Sequence, residues 1–127
     1  MAAKILIVDD SSTTLLMEEM LLKKYTKFEV VQARNGQEAV EKALAEQPDL
    51  ILMDVIMPKM DGFAACREMR RQEKLRATPI ILVTSRGEPE NVETGFECGC
   101  NDYLTKPIES QELLQMVNGY LAVEKAQ

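Results

Sequence analysis

Apolar residues along the chain follow two alternating patterns, which predict a repeated strand–helix order. Five short stretches are rich in apolar and β-branched residues, as strands are: residues 4–8, 28–33, 50–53, 80–84 and 102–105. Longer stretches with apolar residues at helical spacing follow them: residues 12–25, 36–47, 62–72, 88–99 and 110–126. Strands that alternate with helices of this length predict a parallel sheet covered by helices on both faces.

Helix-end residues support three of these boundaries. Ser12 is the expected N-cap of the first helix, because its hydroxyl can accept a hydrogen bond from the first turn. Pro89 suits a first helical position, and Gly99 suits the residue after a helix.

The composition of the strands predicts their order in the sheet. Residues 5–8, 50–53 and 80–83 are continuous apolar runs, as interior strands of a parallel sheet are. Residues 28–33 and 102–105 are mixed and therefore suit the edges. The order 2-1-3-4-5 satisfies both conditions and creates a topological switch point between the first and third strands. Ligands of such sheets bind in the crevice outside the carboxyl ends of the strands.

Composition and charge narrow the class of protein. The chain has 127 residues, of which 46% are apolar and 28% charged, so we expect one globular domain over residues 1–127. The net charge of −6 argues against direct binding to nucleic acid or to an anionic membrane. No apolar run approaches the roughly 18 residues of a membrane span.

Cysteine and histidine counts bear on compartment and chemistry. Three cysteines without a C-x-x-C motif argue against a disulfide framework and favour a cytoplasmic protein. We expect Cys66 and Cys98 to be small core residues, and the Cys98-x-Cys100 pair to be chemically inert. The chain has no histidine, so it lacks the usual zinc ligand and the usual general base.

Acids stand at the carboxyl ends of the interior strands. Asp9 and Asp10 follow the first strand and Asp54 the third, while Thr84 and Lys106 end the fourth and fifth. Clustered carboxylates repel one another and invite a hard cation, and oxygen ligands of this kind suit Mg²⁺ or Mn²⁺ better than zinc. Lys106 and Thr84 could bind a phosphoryl group at the same place. Asp54 is therefore the predicted nucleophile, giving an aspartyl phosphate.

Four motifs in order carry a family resemblance: "ILIVDD", "LILMDVIMPKMDG", "ILVTS" and "GCNDYLTKPI". They resemble the receiver domain of two-component response regulators, in particular the single-domain chemotaxis-type regulators. The resemblance extends from about Lys4 to Leu121 and implies a flavodoxin-like, doubly wound α/β fold.

The resemblance also implies roles for individual residues. Asp54 would be phosphorylated, with Asp10 and Asp54 as direct metal ligands, Asp9 completing the acid pair and the carbonyl of Ile56 as a further ligand. The remaining matches are the conserved-type lysine, the switch hydroxyl and the switch aromatic residue: Lys106, Thr84 and Tyr103. The Lys106–Pro107 peptide bond would be cis.

The function implied is a signalling switch rather than an enzyme, with at most intrinsic autophosphorylation and autodephosphorylation. The phosphoryl donor would be a sensor histidine kinase or a phosphotransfer protein. A downstream protein would bind the face formed by residues 88–121. The chain is expected to be either a stand-alone receiver or one excised from a longer protein. Its fifth strand and helix lack the arginine-and-acid ladder of the subfamily that dimerises symmetrically through that face, which argues against this mode of dimerisation.

Other interpretations remain open from the residues alone. The acid pair could merely cap the first helix, Lys106 could be a solvated surface residue, and Tyr103 an ordinary edge residue. A haloacid-dehalogenase-like enzyme also uses a strand-end Asp with Mg²⁺, but it needs an acid where this chain has Ile56. A flavodoxin-like electron carrier needs a phosphate-binding loop where this chain has the acid pair.

Two residues bear on how long a phosphorylated state would last. Ile56 and Arg86 lie two positions beyond the acceptor and the switch hydroxyl, where receiver domains flank the approach of water. Ile56 cannot orient a water molecule, and Arg86 could screen the phosphoryl group. We expect slow loss of phosphate.

Overall fold

Strands and helices alternate through residues 2–84 and 89–125, the part of the chain that the computed structural model describes; side chains are described for residues 2–84 and 93–121. The strands are β1 (Lys4–Val8), β2 (Glu29–Ala33), β3 (Leu50–Asp54), β4 (Ile80–Thr84) and β5 (Asp102–Thr105). The helices are α1 (Ser12–Tyr25), α2 (Gly36–Glu46), α3 (Gly62–Arg71), α4 (Pro89–Cys98) and α5 (Ser110–Lys125), and a short 3₁₀ helix covers Glu73–Leu75.

The five strands form one parallel sheet in the order β2-β1-β3-β4-β5. This confirms the order 2-1-3-4-5 and the α/β class predicted from the sequence. The apolar runs of β3 and β4 are buried throughout, and β1 is buried except at Lys4, whereas the edge strands β2 and β5 are mostly half-buried. The composition of each strand therefore reflects its place in the sheet.

Side chains of the interior strands alternate between two cores. One core joins residues such as Leu6, Ile51 and Leu82 to α2, α3 and α4. The other joins Ile5, Leu52 and further strand residues to α1 and α5. Since successive side chains of a strand point to opposite faces, each apolar run supplies both cores at once. The doubly wound arrangement follows from this.

The helix ends agree with the sequence analysis except at α1. The N-cap is Ser11 and not Ser12: Ser11 has an extended backbone, and its Oγ accepts a hydrogen bond from the Thr14 amide at 3.3 Å. The helix therefore begins one residue earlier than a Ser12 cap requires. Pro89 is the first residue of α4, and Gly99 follows its end with a φ of +104°, in the left-handed region that favours glycine.

Some expectations concern residues outside the described ranges. Residues 88 and 126, at the ends of two predicted helices, are among them, as is Arg86. Within the described ranges, none of the helices has the length and apolar character needed to cross a bilayer.

Candidate functional site

The strand register brings the predicted acids to one edge of the sheet. Val8 pairs with Met53, so Asp9, the next residue, lies level with Asp54 on the neighbouring strand. Asp54 itself pairs with Val83 of β4, and the amide of Val55 donates to the Val83 carbonyl at 3.0 Å. The acid at the end of β3 is therefore fixed by its neighbouring strands on both sides.

The three acids form a compact cluster. One carboxylate oxygen from each of Asp9, Asp10 and Asp54 lies within 4.8 Å of the other two. Asp9 is 2% exposed and Asp54 6% exposed, whereas Asp10 is open to solvent. Buried like charges at this separation are unfavourable without a compensating cation, so the cluster requires positive charge beside it.

Lys106 supplies part of that charge. Its Nζ lies 2.8 Å from Asp54 Oδ2 and 3.5 Å from Asp9 Oδ2. The backbone amide of Lys106 donates to the Thr84 carbonyl at 2.8 Å, which fixes the start of the loop after β5, and the Lys106–Pro107 bond is cis, as expected. Burial lowers the pKa of Lys106, but the hydrogen bond to Asp54 and the charges of Asp54 and Asp9 outweigh it and raise the pKa above its ordinary value. Lys106 is therefore an ion-pair partner and not a freely solvated lysine.

The surroundings of Asp9 act in both directions on its protonation. Burial raises the pKa of its carboxyl group, and the hydrogen bond from the Ser11 amide, at 2.9 Å, lowers it. The charges of Asp54 and Asp10 raise it further, while Lys106 lowers it. The net shift of the pKa is upward, and burial is its largest cause. A divalent cation in the cluster would reverse this balance.

The donor set fits a hard divalent cation. Three carboxylates and one ammonium leave two negative charges, which one divalent ion would balance. All the donors are oxygens, as Mg²⁺ and Mn²⁺ prefer. Ile56 follows the cluster with its side chain 59% exposed, between the buried residues Val55 and Met57. The use of its carbonyl as a ligand stays a prediction.

Thr84 lies at the same end of the sheet as the cluster, and Tyr103 pairs with Leu82, two residues before Thr84 on β4. Thr84 ends β4 beside β3 and is buried, and among the described residues no hydrogen bond links its hydroxyl to the acids. Tyr103 is half-buried on β5, where its ring meets that of Phe96 of α4 edge to face at 6.0 Å and 86°. Their switch roles stay predictions.

A glycine allows α3 to start against the strand that carries Asp54. The Gly62 amide donates to the Val55 carbonyl at 2.8 Å. A Cβ at Gly62 would collide with the backbone oxygen of Asp54 and would lie 2.8 Å from the Cα of Val55. The glycine of "MPKMDG" is thus required by close backbone approach, and it fixes the loop that follows the acid.

The capping interpretation of the acid pair is only partly correct. Asp9 accepts a hydrogen bond from the Ser11 amide and so stabilises the turn before α1, but the cap of the helix is Ser11. The three cysteines are buried, and burial raises the pKa of each thiol: Cys66, Cys98 and Cys100. This agrees with the expected packing role of Cys66 and Cys98.

The sequence analysis missed one ionisable residue beside the cluster. Glu18 of α1 is buried on the same helical face as Leu15 and Leu22. Burial is the main cause that raises its pKa to about 8, and the negative charges of Asp9 and Asp54 add to the effect. The signal was present in the spacing, since residues 15, 18 and 22 share one face of a helix.

Comparison with known proteins agrees with this geometry. The chain is 39% identical to protein PilH of Pseudomonas aeruginosa over 120 residues, covering 94% of this chain and 98% of PilH. It is 40% identical to the transcriptional regulatory protein ResD of Bacillus subtilis over 118 residues, covering 93% of this chain but 48% of ResD, so it spans about half the length of that relative.

A solved structure is similar in both fold and sequence. It is the receiver domain of a sensor histidine kinase from Pseudomonas aeruginosa, with a magnesium ion coordinated in its active site cleft. The TM-score is 0.85 and the identity 34%, over 96% of this chain and 99% of that one. The family model described as the response regulator receiver domain matches residues 5–118. Together with the sheet order and the strand-end acids, this match establishes that the chain belongs to the response regulator receiver domain family.

Proposed function

We propose that the chain is a phosphorylation-dependent signalling switch in which Asp54 accepts a phosphoryl group from a sensor histidine kinase or a phosphotransfer protein. The observation that carries the proposal is the position of Asp54, whose Oδ2 lies 2.8 Å from Lys106 Nζ within the cluster that includes Asp9 and Asp10. A strand-end carboxylate is in this way oriented by a fixed cation at the mouth of the sheet.

The chemistry follows from those charges. A carboxylate oxygen of Asp54 attacks the phosphorus of a phosphohistidine, and the phosphorus–nitrogen bond breaks as the imidazole keeps the electron pair and takes up a proton. Negative charge grows on the phosphoryl oxygens beside three carboxylates, so cations must offset it. Lys106, 36% exposed at its side chain, can follow the phosphoryl oxygens while staying within the site.

Mg²⁺, or Mn²⁺, fits the remaining charge of the cluster. Asp10, Asp54 and the carbonyl of Ile56 would bind it directly, with Asp9 completing the acid pair. When bound, the ion neutralises charge on the transferring phosphoryl group. The magnesium ion in the cleft of the similar Pseudomonas aeruginosa receiver domain supports this assignment.

The output step would use Thr84 at the end of β4 and Tyr103 on β5. Phosphorylation draws the hydroxyl of Thr84 toward the phosphoryl group, and Tyr103 turns in response, which remodels the face formed by residues 88–121 for a downstream protein or output domain. The packing of Tyr103 against Phe96 of α4 supports a connection between strand and helix. The proposed location of this switch is the cytoplasm.

The acceptor assignment is tested by comparing Asp54→Asn with Asp49→Asn. Asp49 precedes the opposite end of β3, where its carboxylate accepts from the Lys4 amide at 2.8 Å, a bond that asparagine can keep. With Mg²⁺ and acetyl phosphate, the parent and Asp49→Asn should gain one phosphoryl group by intact mass, and Asp54→Asn none. A phosphoryl group retained by Asp54→Asn, or repeated turnover of the donor as in a true phosphatase, would contradict the proposal.

The switch is tested separately with beryllofluoride, which mimics the phosphoryl group. In the parent it should shift the amide resonances of Tyr103 and of the described part of α4. Thr84→Ala should still bind beryllofluoride but lose those shifts, whereas Thr78→Ala, before the opposite end of β4, should behave as the parent does. Unchanged shifts in Thr84→Ala would remove Thr84 from the switch and leave the acceptor assignment intact.

A further inference from the structure

A groove runs along α1 beside the loop after β5 and the start of α5. Its volume is about 880 Å³, which lies in the range of roughly 300–1,000 Å³ that small organic ligands occupy. The walls are largely apolar and include Met17, Met20, Leu21, Ile108 and Leu113. Met17 and Met20 are exposed at the surface of α1, so an apolar body of moderate size can enter from solvent.

Glu18 lies in the wall of this groove although it is 7% exposed. It forms no hydrogen bond and no ion pair with any residue in the described ranges, where such partners are found for Glu19, Glu38 and Glu46. No fully buried side-chain oxygen in the described ranges lacks a hydrogen-bond partner, so the Glu18 oxygens reach the groove, where burial still makes the ionised form costly. The raised pKa of Glu18, about 8, is the expected consequence of this burial. A ligand that donates to this carboxyl group would remove the cost.

Charge around Glu18 favours a cation. Three ionisable groups of the neighbouring elements act on it: Asp9 and Asp54, which are negative, and Lys106, which is positive. The charge of Lys106 is already committed to the two aspartates, at 2.8 and 3.5 Å. Lys24 also lines the groove but is not among the charges that act on Glu18, and its Nζ lies 5.3 Å from the centre of the Tyr25 ring. Without a divalent cation in the acid cluster, the field at Glu18 is therefore negative before Glu18 itself ionises, and an anionic ligand is disfavoured there.

We propose that this groove binds a small amphipathic organic cation, with its ammonium or guanidinium group on Glu18 and its apolar part along Met17, Met20 and Ile108. A bare metal ion is not the occupant, because one carboxylate among apolar side chains offers too few ligands. A neutral apolar molecule would leave the carboxyl group unpaired. The inference does not depend on phosphorylation of Asp54 and can be tested without Mg²⁺ or a phosphodonor.

The first test compares four probes at about pH 8, near the pKa of Glu18. They are n-hexylammonium, hexanol, hexanoate and methylammonium, titrated in EDTA while methionine methyl groups are followed by NMR. Hexylammonium should shift Met17 and Met20, and leave Met53 and Met69 of the other core unchanged. Hexanol and hexanoate lack the positive charge, and methylammonium lacks the apolar tail. These three probes should bind about tenfold more weakly or not at all.

The second test assigns the cation to Glu18. Glu18→Gln keeps the shape and removes the charge, so hexylammonium should bind at least about tenfold more weakly. Glu41→Gln makes the same side-chain replacement at an exposed position of α2 and should bind as the parent does. Equal affinity of the parent and Glu18→Gln, equal affinity for hexanol and hexylammonium, or shifts at Met53 rather than Met17 would each overturn the proposal.

Discussion

Asp54 and Glu18 are both buried acids close to Lys106, but their surroundings differ in one respect. Asp54 lies 2.8 Å from the lysine Nζ, at a strand mouth that opens to solvent through Asp10. Glu18 lines an apolar groove and has no polar partner among the described residues. In the first case the fold places a lysine in contact with the acid, and in the second the same lysine acts on the acid without a hydrogen bond or an ion pair. The role of a buried acid can therefore be inferred only when the groups that contact it are known.

The difference also separates the physical roles of the two acids. At the strand mouth, Lys106 contacts Asp54 at 2.8 Å, which suits the nucleophilic role proposed for Asp54. In the groove, burial favours the neutral form, so Glu18 holds its proton at a pH where exposed glutamates have lost theirs. The predictions below remove one partner or one acid at a time.

The largest expected effect is that of Lys106→Met on the acceptor site. Without the ammonium group, charge on the phosphoryl oxygens loses its fixed partner, and the rate of phosphorylation by acetyl phosphate should fall by about 10²- to 10³-fold. Initial rates measured by intact mass provide the test. Lys4→Met, which removes the lysine paired with Glu46 at 2.8 Å near the opposite end of the sheet, should leave the rate unchanged. Equal rates in the two variants would refute a role for Lys106.

The next effect is the pH dependence that Glu18 imposes on stability. Its pKa is about 8 in the folded chain against 4.5 as the ordinary value, so between these pH values the folded state holds a proton that the unfolded state releases. The free energy of unfolding must then fall as pH rises through this window, by on the order of 3–5 kcal/mol. Urea unfolding in EDTA measures it.

Glu18→Gln isolates that contribution, because glutamine resembles the neutral acid and cannot ionise. The variant should match the parent near pH 5 and become the more stable of the two by pH 8. Glu41→Gln, at an exposed position, should follow the parent throughout. Parallel curves for the parent and Glu18→Gln would show that burial does not control this group.

A smaller effect is expected for Glu18→Leu at pH 7. Leucine extends the apolar face of Leu15 and Leu22 and removes an unpaired polar group, so the free energy of unfolding should rise by about 1–2 kcal/mol. Glu19→Leu is the matched control, since Glu19 accepts from Gln32 at 2.9 Å and pairs with Lys23 at 3.6 Å. That control should gain nothing. A less stable Glu18→Leu would indicate that the carboxyl group has a stabilising partner.

The smallest effect concerns the lifetime of phosphorylated Asp54. Ile56→Asn should speed the loss of phosphate by about tenfold at most, because an amide can orient water but cannot take its proton. Ile56 is exposed, so this change should not alter stability. Arg86→Glu, at a residue outside the described ranges, should add to the effect. Decay no faster in the double variant than in the parent would contradict the expected slow loss.

Much of the fold could be predicted because the apolar composition of each strand indicates how deeply that strand is buried. The runs "ILIV", "LILM" and "IILV" supply two cores at once, so they must be interior, and the mixed strands must be edges. Once the order is known, the register of parallel neighbours fixes Asp9 level with Asp54. The acid cluster was therefore predictable from topology alone.

The N-cap of α1 and the buried Glu18 were not predicted, and each has a local explanation. Ser11 and Ser12 have the same capping chemistry, and only the extended backbone of Ser11 decides between them. Glu18 was overlooked because α1 carries apolar residues on several faces, among them the exposed Leu16, Met17 and Met20, which obscures the buried one. Spacing from Leu15 and Leu22 would have identified it, but whether an acid there has a partner depends on α5 and the loop after β5.

The in–out–in order of Val55, Ile56 and Met57 has a consequence for how such proteins diversify. Val55 and Met57 anchor the loop in a single core, the one covered by α2, α3 and α4, while Ile56 between them is open to solvent. Natural selection can replace residue 56 without weakening the core. A single substitution there can therefore alter the surroundings of the acid cluster while the fold stays stable. If residue 56 sets the lifetime of phosphorylated Asp54 as predicted above, related chains can differ in timing while sharing one architecture.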